Sequence, residues 1–107
     1  GGFMMKTIYF TLTGTGHYFG HQFLEKGMKV ILVKEPDNDY DKEAIQVKIN
    51  GLGKIGYVAN SPSTVLGETM SAGCIYDKIG DHVEAKVLIV TDRCVICELN
   101  CEQVNNK

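Results

Sequence analysis

Apolar and polar residues alternate along most of this chain. In residues 6–13, Ile8, Phe10 and Leu12 fall on one face of an extended segment and mostly polar residues fall on the other. A period of two is typical of a β-strand that buries one face. Residues 28–34 are apolar on both faces, which predicts a strand buried on both sides. Further strands are predicted at 44–49, 54–58, 83–90 and 94–99.

One helix is predicted after the fourth strand. Ser61 can cap its N-terminus, Pro62 suits its first turn, and Gly73 can end it. Its apolar stripe consists of Val65, Leu66 and Met70. Most strands follow one another without an intervening helix, which argues against a parallel sheet. The sequence therefore predicts a mainly β fold: a small antiparallel barrel of about six strands with one or two short helices.

The length and composition are those of one small globular domain. The 107 residues are 44% hydrophobic and 22% charged, close to the averages for folded proteins. No basic-then-apolar leader opens the chain, so we expect a soluble, cytoplasmic protein. The residues ahead of the Met4-Met5 pair look like a cloning remnant. We accordingly assign residues 1–5 to an N-terminal tail, 6–100 to the domain and 101–107 to a polar C-terminal tail.

The charge is small and unevenly distributed. The formal net charge of −2 counts against a general polyanion binder. Residues 1–60 hold seven Lys against six Asp and Glu, whereas residues 61–107 hold four Lys and Arg against seven Asp and Glu. A bound phosphate is therefore expected near the first half of the chain.

Two motifs resemble cofactor sites without meeting their requirements. The glycine-rich run 14–20 places Phe19 where the third glycine of a GxGxxG turn belongs, and no βαβ unit follows. The acidic run beginning at Asp37 has Lys42 in place of the glycine that an EF-hand loop needs, and Lys48 in place of its last ligand. We expect neither a nucleotide cofactor nor a calcium ion.

The cysteines and histidines are weak metal-site candidates. Four cysteines occur, at positions 74, 94, 97 and 101. A spacing of three along a predicted strand places Cys94 and Cys97 on opposite faces, whereas zinc needs converging thiolates. His17 and His21, with Asp41 as a third ligand, leave a small metal-dependent hydrolase as an open alternative.

Three segments resemble the signature of the HIRAN family. They are a Gly/Tyr-rich turn at 13–20, a block E-P-x-N-x-Y-D-x-x-A-I-x-V within 34–47, and I-G-Y-V within 54–59. The resemblance implies a compact, OB-like β-barrel with short helices. It also implies a non-catalytic module that binds single-stranded DNA, selects a free 3′ end, and occurs attached to some DNA-repair helicases.

The resemblance assigns roles to individual residues. Tyr40 would stack on the terminal base, and Asp41 would accept a hydrogen bond from the 3′-hydroxyl. A carboxylate is an acceptor only, so it suits a hydroxyl donor and repels a terminal phosphate. The remaining contacts to base and backbone would come from His17, Tyr18, Lys42, Tyr57 and Asn60.

Departures from the family pattern keep other functions open. Gly16 and Asn60 stand where the DNA-binding relatives carry basic residues, and His17 stands where they carry an aromatic residue. Weaker phosphate contact is therefore expected.

The leading hypothesis is a 3′-end-binding module without cofactor, related to DNA repair and with a helicase or other repair protein as partner. The alternative is a protein- or peptide-binding adaptor that uses the same groove. Tyr40 and Asp41 could also simply form a turn in which Asp41 caps backbone amides.

We predict that the purified protein contains no stoichiometric metal, because the strand pattern separates Cys94 from Cys97. Elemental analysis after dialysis against a metal-free buffer tests this. One zinc ion per chain would contradict the prediction and would make Cys74 a candidate for the fourth ligand.

Overall fold

Six antiparallel strands close into a barrel in the computed structural model of the protein, which describes residues 3–104 and the side chains of residues 6–100. The order of the strands around the barrel is β1-β4-β3-β2-β5-β6, and β6 returns to β1. The strands are β1 Phe3–Thr13, β2 Lys29–Lys34, β3 Ile45–Ile49, β4 Gly53–Val58, β5 His82–Val90 and β6 Val95–Val104. The predicted fold class is confirmed.

Strand β1 closes the barrel by pairing on both of its edges. Along one edge it pairs with β6 from Phe3 opposite Val104 to Leu12 opposite Val95. Along the other edge, β4 pairs with Leu12 and Thr13 only. Both β1 and β6 extend beyond the predicted strands and include residues 3–5 and 101–104, which the sequence analysis assigned to tails. The rest of those tails, residues 1–2 and 105–107, lies outside the described residues.

The barrel interior follows the predicted alternation. Ile8, Phe10 and Leu12 point inward and are almost fully buried. They pack in one core with side chains from each of the other five strands. The largest other side chains that are fully buried are those of Leu32, Ile45, Ile55, Ile75, Leu99, Val30, Val47, Val87, Val95 and Cys97. The prediction for β2 was half wrong. Val30 and Leu32 are buried, but Ile31 and Val33 are partly exposed, so only one face of this strand is in the core.

The helix predicted between Ser61 and Gly73 was wrong in position and length. Residues 61–70 form turns, and the helix α1 spans only Ala72–Tyr76. Its N-cap is Ser71, whose hydroxyl accepts a hydrogen bond from the backbone N–H of Cys74. Gly73, predicted as the end of a helix, is the second residue of this one.

Tertiary hydrogen bonds explain why the predicted helix does not form. Beyond the turn at residues 62–64, the N–H of Leu66 donates to Thr11 Oγ1, and the N–H of Met70 donates to the carbonyl of Tyr9. Both acceptors belong to β1, on the stretch that β4 leaves unpaired. Gly67 adopts a φ of +54°, a left-handed conformation that ends helical geometry. Pairing with β1 therefore overrides the local helix signals.

The connection between β1 and β2 spans residues 14–28 and contains no α-helix. A 3-10 turn spans Thr15–His17, so the helical turn over 17–24 that would pair His17 with His21 is absent from the described structure. Between residues 3 and 104, none of the helices is long and apolar enough to cross a membrane.

Strand β4 packs against the end of β1 at a glycine. Gly56 is buried, and a Cβ added there would lie 2.6 Å from the carbonyl oxygen of Thr13 and 3.0 Å from Leu12 Cδ1. The backbone oxygen cannot move aside easily, because Thr13 is held in register with Tyr57.

We predict that Gly56→Ala lowers the free energy of unfolding by about 1–3 kcal/mol, the usual cost of overpacking a filled site. Urea unfolding followed by circular dichroism measures the change. Gly80→Ala is the matched control, because a Cβ at Gly80 would meet nothing within 4 Å. Equal midpoints for the two variants would contradict the prediction.

Candidate nucleic-acid interface

An open groove of about 760 Å³ lies at the end of the barrel where β1 and β4 meet. Its walls come from the end of β1, the 3-10 turn, the β2–β3 loop, β4 and the segment that follows β4. The lining residues are Thr13, His17, Asn38, Tyr40, Asp41, Ala44, Tyr57, Val58, Asn60, Ser61 and Thr64.

The groove brings together most of the residues that the sequence singled out. Five of the seven predicted site residues line it: His17, Tyr40, Asp41, Tyr57 and Asn60. The other two, Tyr18 and Lys42, lie outside the lining. Both are exposed and each directly follows a lining residue, so they stand at the margin of the groove.

Asn38 organises the loop that presents the Tyr-Asp pair. Its Oδ1 accepts hydrogen bonds from the N–H groups of Tyr40 (2.9 Å) and Asp41 (3.0 Å), and its Nδ2 donates to Glu35 Oε1 at 3.0 Å. Such an Asx turn fixes the backbone locally. The Tyr40 side chain has no packing partner to hide it, and the residue is 97% exposed. The loop thus holds an aromatic ring out into solvent from a fixed backbone.

Asp41 is held by two hydrogen bonds from different elements. Its Oδ1 accepts from the N–H of Glu43 at 2.9 Å, and its Oδ2 accepts from Asn60 Nδ2 at 2.8 Å. Asp41 therefore caps a backbone amide, as the turn interpretation expects. Each carboxylate oxygen has a second lone pair, so the group retains capacity to accept from a ligand.

Asn60 connects Asp41 to helix α1. While Nδ2 donates to Asp41, the Oδ1 of Asn60 accepts from the backbone N–H of Gly73 at 2.8 Å. The approach is close: a Cβ added at Gly73 would lie 2.7 Å from Glu43 Oε1 and 3.3 Å from Asn60 Oδ1. The end of the exposed Glu43 side chain can move aside, whereas Asn60 Oδ1 is held by its hydrogen bond to α1, so Asn60 sets the tighter limit on the space at Gly73.

Beside the groove, Glu35, Lys54 and Tyr57 form a closed hydrogen-bond network. Lys54 Nζ lies 3.0 Å from Glu35 Oε2 and donates to the Tyr57 hydroxyl at 2.8 Å, and that hydroxyl donates to Glu35 Oε1 at 2.9 Å. Burial raises the pKa of Glu35, but hydrogen bonds from Asn38, Lys54 and Tyr57 outweigh it and leave the pKa below its usual value. The hydrogen bond to Tyr57 and the nearby Glu35 raise the pKa of Lys54. The positive charge of Lys54 is thus already paired with the carboxylate of Glu35.

The groove itself carries little positive charge. Its lining includes the carboxylate of Asp41 and the imidazole of His17 but no Lys or Arg. Lys54 Nζ lies 4.8 Å from the ring centroid of Tyr57 and 5.9 Å from that of Tyr18, which places one paired cation between these aromatic side chains. The sequence-predicted cation at Lys42 is exposed on the loop next to Asp41.

Several groove residues were missed by the sequence analysis: Thr13, Asn38, Ala44, Val58, Ser61 and Thr64. Asn38 had a readable signal, because an Asn two positions before the aromatic residue favours an Asx turn. The others are ordinary strand and turn residues whose position depends on how β1 and β4 meet, and no local pattern indicates that.

Among the residues with described side chains, no group of three or more His, Cys, Asp or Glu is arranged to hold a metal ion. Cys94 lies in the turn before β6, rather than within the strand as predicted, and Cys97 is buried in the core. Burial raises the pKa of the Cys97 thiol to about 12. The side chain of Cys101 lies outside the described residues.

Two solved structures have a similar fold. A protein from Lactobacillus plantarum is 22% identical, with a TM-score of 0.63 over 96% of this chain and 100% of that chain. The HIRAN domain of human HLTF is 17% identical, with a TM-score of 0.69 over 97% of this chain and 82% of that chain. No curated protein sequence matches this chain.

At these identities the two structures indicate a shared fold and nothing more specific. The sequence itself provides the assignment, because the family model of the HIRAN domain matches residues 5–105. This match includes the end of β1, the Asn38–Asp41 loop and β4, which together build the groove. The chain belongs to the HIRAN domain family.

Proposed function

We propose that the groove binds the 3′ end of single-stranded DNA, with Tyr40 stacking on the terminal base and Asp41 accepting a hydrogen bond from the terminal 3′-hydroxyl. HIRAN domains are a nucleic-acid-binding family. The observation that carries the proposal for this chain is the pairing of a 97% exposed Tyr40 with the Asp41 carboxylate in one groove. Exposed aromatic rings are the usual platforms for unpaired bases.

The loop favours stacking because the backbone of Tyr40 is already ordered. Asn38 binds the N–H groups of Tyr40 and Asp41, so a base that stacks on the ring orders little more than the side chain. A preformed platform loses less entropy on binding than a mobile one. Any of the four bases offers a face for such stacking, so this contact gives affinity without sequence preference.

Asp41 supplies the discrimination between strand ends. Its oxygens are oriented by Glu43 and Asn60, and the remaining lone pairs accept a hydroxyl proton. A 3′-phosphate in the same place would bring a second anion against the carboxylate, in a groove whose lining has no Lys or Arg to offset the repulsion. Recognition of the end therefore works by selecting the hydroxyl and rejecting the phosphate.

The other groove residues serve as walls for the terminal nucleotide. His17 and Tyr57 offer ring faces or edges, and Asn60 offers an amide next to the carboxylate. At the margin, Tyr18 extends the aromatic surface and Lys42 reaches the backbone phosphates. On this proposal the domain is non-catalytic and directs a helicase or another repair protein to strand ends.

One observation favours the second candidate function, a peptide-binding adaptor. The groove lining contains Ala44, Val58 and three Ser or Thr side chains but no Lys or Arg, which is an unusual surface for a polyanion ligand. An aromatic residue from a partner could occupy the space beside Tyr40. The dependence of binding on salt separates the two functions.

We predict that a 5′-labelled oligothymidylate with a free 3′-hydroxyl binds more tightly than the same strand with a 3′-phosphate, as measured by fluorescence anisotropy. Asp41→Ala should abolish the difference by removing the repulsion and the acceptor. Tyr40→Ala should weaken binding of both strands by about 1–3 kcal/mol, the value of one stacked base.

Asp39→Ala is the matched control for Asp41→Ala, since it removes one negative charge from an exposed position in the same loop. It should leave the preference for the hydroxyl intact. Equal affinity of the unmodified protein for the two ends would refute end recognition.

We predict a weak salt dependence for single-strand binding. Each neutralised phosphate contributes about −0.7 to the slope of log affinity against log salt. With two to three contacts, the slope should be about −1.5 to −2 and the affinity micromolar or weaker. Lys42→Ala should reduce the slope by about 0.7 without changing the preference for a 3′-hydroxyl. Absence of binding even at low salt would favour the adaptor function.

A further inference from the structure

A second hollow adjoins the groove on the far side of the 3-10 turn. It has a volume of about 340 Å³ and shares Thr13 with the groove. Its lining consists of Leu12, Thr13, Gly14, Thr15, Gly16, Gly20, His21, Arg93, Cys94 and Val95. Unlike the groove, this hollow is lined by a side chain with a permanent positive charge, that of Arg93, and none of its lining residues is acidic.

Arg93 is available to bind a ligand. It is the single arginine of the sequence and it is exposed. Among the described residues, its guanidinium takes part in no salt bridge and no side-chain hydrogen bond; only its backbone N–H is used, donating to Thr91 Oγ1 at 3.2 Å. Asp92 is on the same turn but does not line the hollow.

The turn that carries Arg93 is well ordered. Thr91 Oγ1 also accepts from the N–H of Cys94 at 3.0 Å, and the backbone N–H of Thr91 donates to the carbonyl of Cys94 at 2.9 Å. These bonds close the tight connection between β5 and β6. The base of the Arg93 side chain therefore has a fixed position at the rim of the hollow.

The groove and the hollow meet at the 3-10 turn, where His17 lines the groove and its neighbour Gly16 lines the hollow. Gly16 is exposed, and a Cβ placed there would meet nothing within 4 Å. A ligand that extends out of the groove over this turn would meet no side chain at Gly16 before it reached Arg93.

We infer that the hollow receives a backbone phosphate of the same DNA strand whose 3′ end occupies the groove, with Arg93 as its cation and His21 as an additional hydrogen-bonding group. This inference rests on the proposed function. A guanidinium matches two phosphate oxygens at once, which suits a fixed phosphate better than a flexible ammonium does. The contact between Arg93 and the phosphate would thereby add affinity for the strand, while the groove discriminates between the two kinds of strand end.

The test compares Arg93→Gln with Lys6→Gln, which removes the same charge from an exposed position on β1 away from the groove end. The probes are a thymidine octanucleotide and a thymidine dinucleotide, both with free 3′-hydroxyls. We expect Arg93→Gln to weaken octanucleotide binding about three- to fivefold, the upper range for one exposed ion pair, and to reduce the salt slope by about 0.7. Dinucleotide binding and the preference for a 3′-hydroxyl should be unchanged, and Lys6→Gln should resemble the unmodified protein.

A gain-of-function variant guards against effects of misfolding. Gly16→Lys adds a cation at the edge of the hollow next to the groove and should strengthen octanucleotide binding and steepen the salt slope by about 0.7. If the unmodified protein prefers 3′-hydroxyl strands but Arg93→Gln behaves like Lys6→Gln, the hollow is not a phosphate site and the proposed function stands. If the unmodified protein binds neither probe, the proposed function and this inference both fail.

Discussion

The structure depends on how the second edge of β1 is satisfied. One edge pairs with β6 from Phe3 to Leu12, but β4 reaches only Leu12 and Thr13 on the other. Unpaired backbone groups on a strand beside the core would be costly, so another segment must supply partners. The chain after β4 does this: the N–H of Ala59 donates to Thr11, and that of Met70 donates to Tyr9. This pairing positions the wall of the groove.

The same constraint explains which parts of the fold the sequence could predict. The local pattern of apolar residues identified all six strands, because each strand buries one face in a shared core and the residues of that face lie close together in the sequence. The helix predicted after Ser61 was wrong because its cap, proline and apolar stripe are local signals, whereas the β1 residues that need partners lie 55 or more positions earlier in the chain. Likewise, the second apolar face of β2 gave no indication that Ile31 and Val33 would remain partly exposed.

For the candidate site, the motif placed Tyr40 and Asp41 correctly on one loop but could not show what holds them. Asn38 forms its contacts within three residues, so it was readable in principle. The pairing of Glu35 with Lys54 and the contact between Asn60 and Asp41 each join residues about twenty positions apart, and only the closed barrel brings them together. The sequence therefore identified residues that line the groove more readily than the contacts that orient them.

The close approach of α1 to the carboxylate loop has a consequence for how this domain tolerates variation. Because the backbone N–H of Gly73 donates to Asn60, and the amide of Asn60 donates to Asp41, the helix and the Asp41 loop are linked through one side chain. A side chain at position 73 would displace the end of the exposed Glu43 side chain and would crowd Asn60 Oδ1, which would lie 3.3 Å from the added Cβ. The first contact to change would therefore be the one through which Asn60 orients Asp41. Divergent relatives could thus lose or retune their ligand preference through a substitution in α1, with every residue that faces the ligand unchanged.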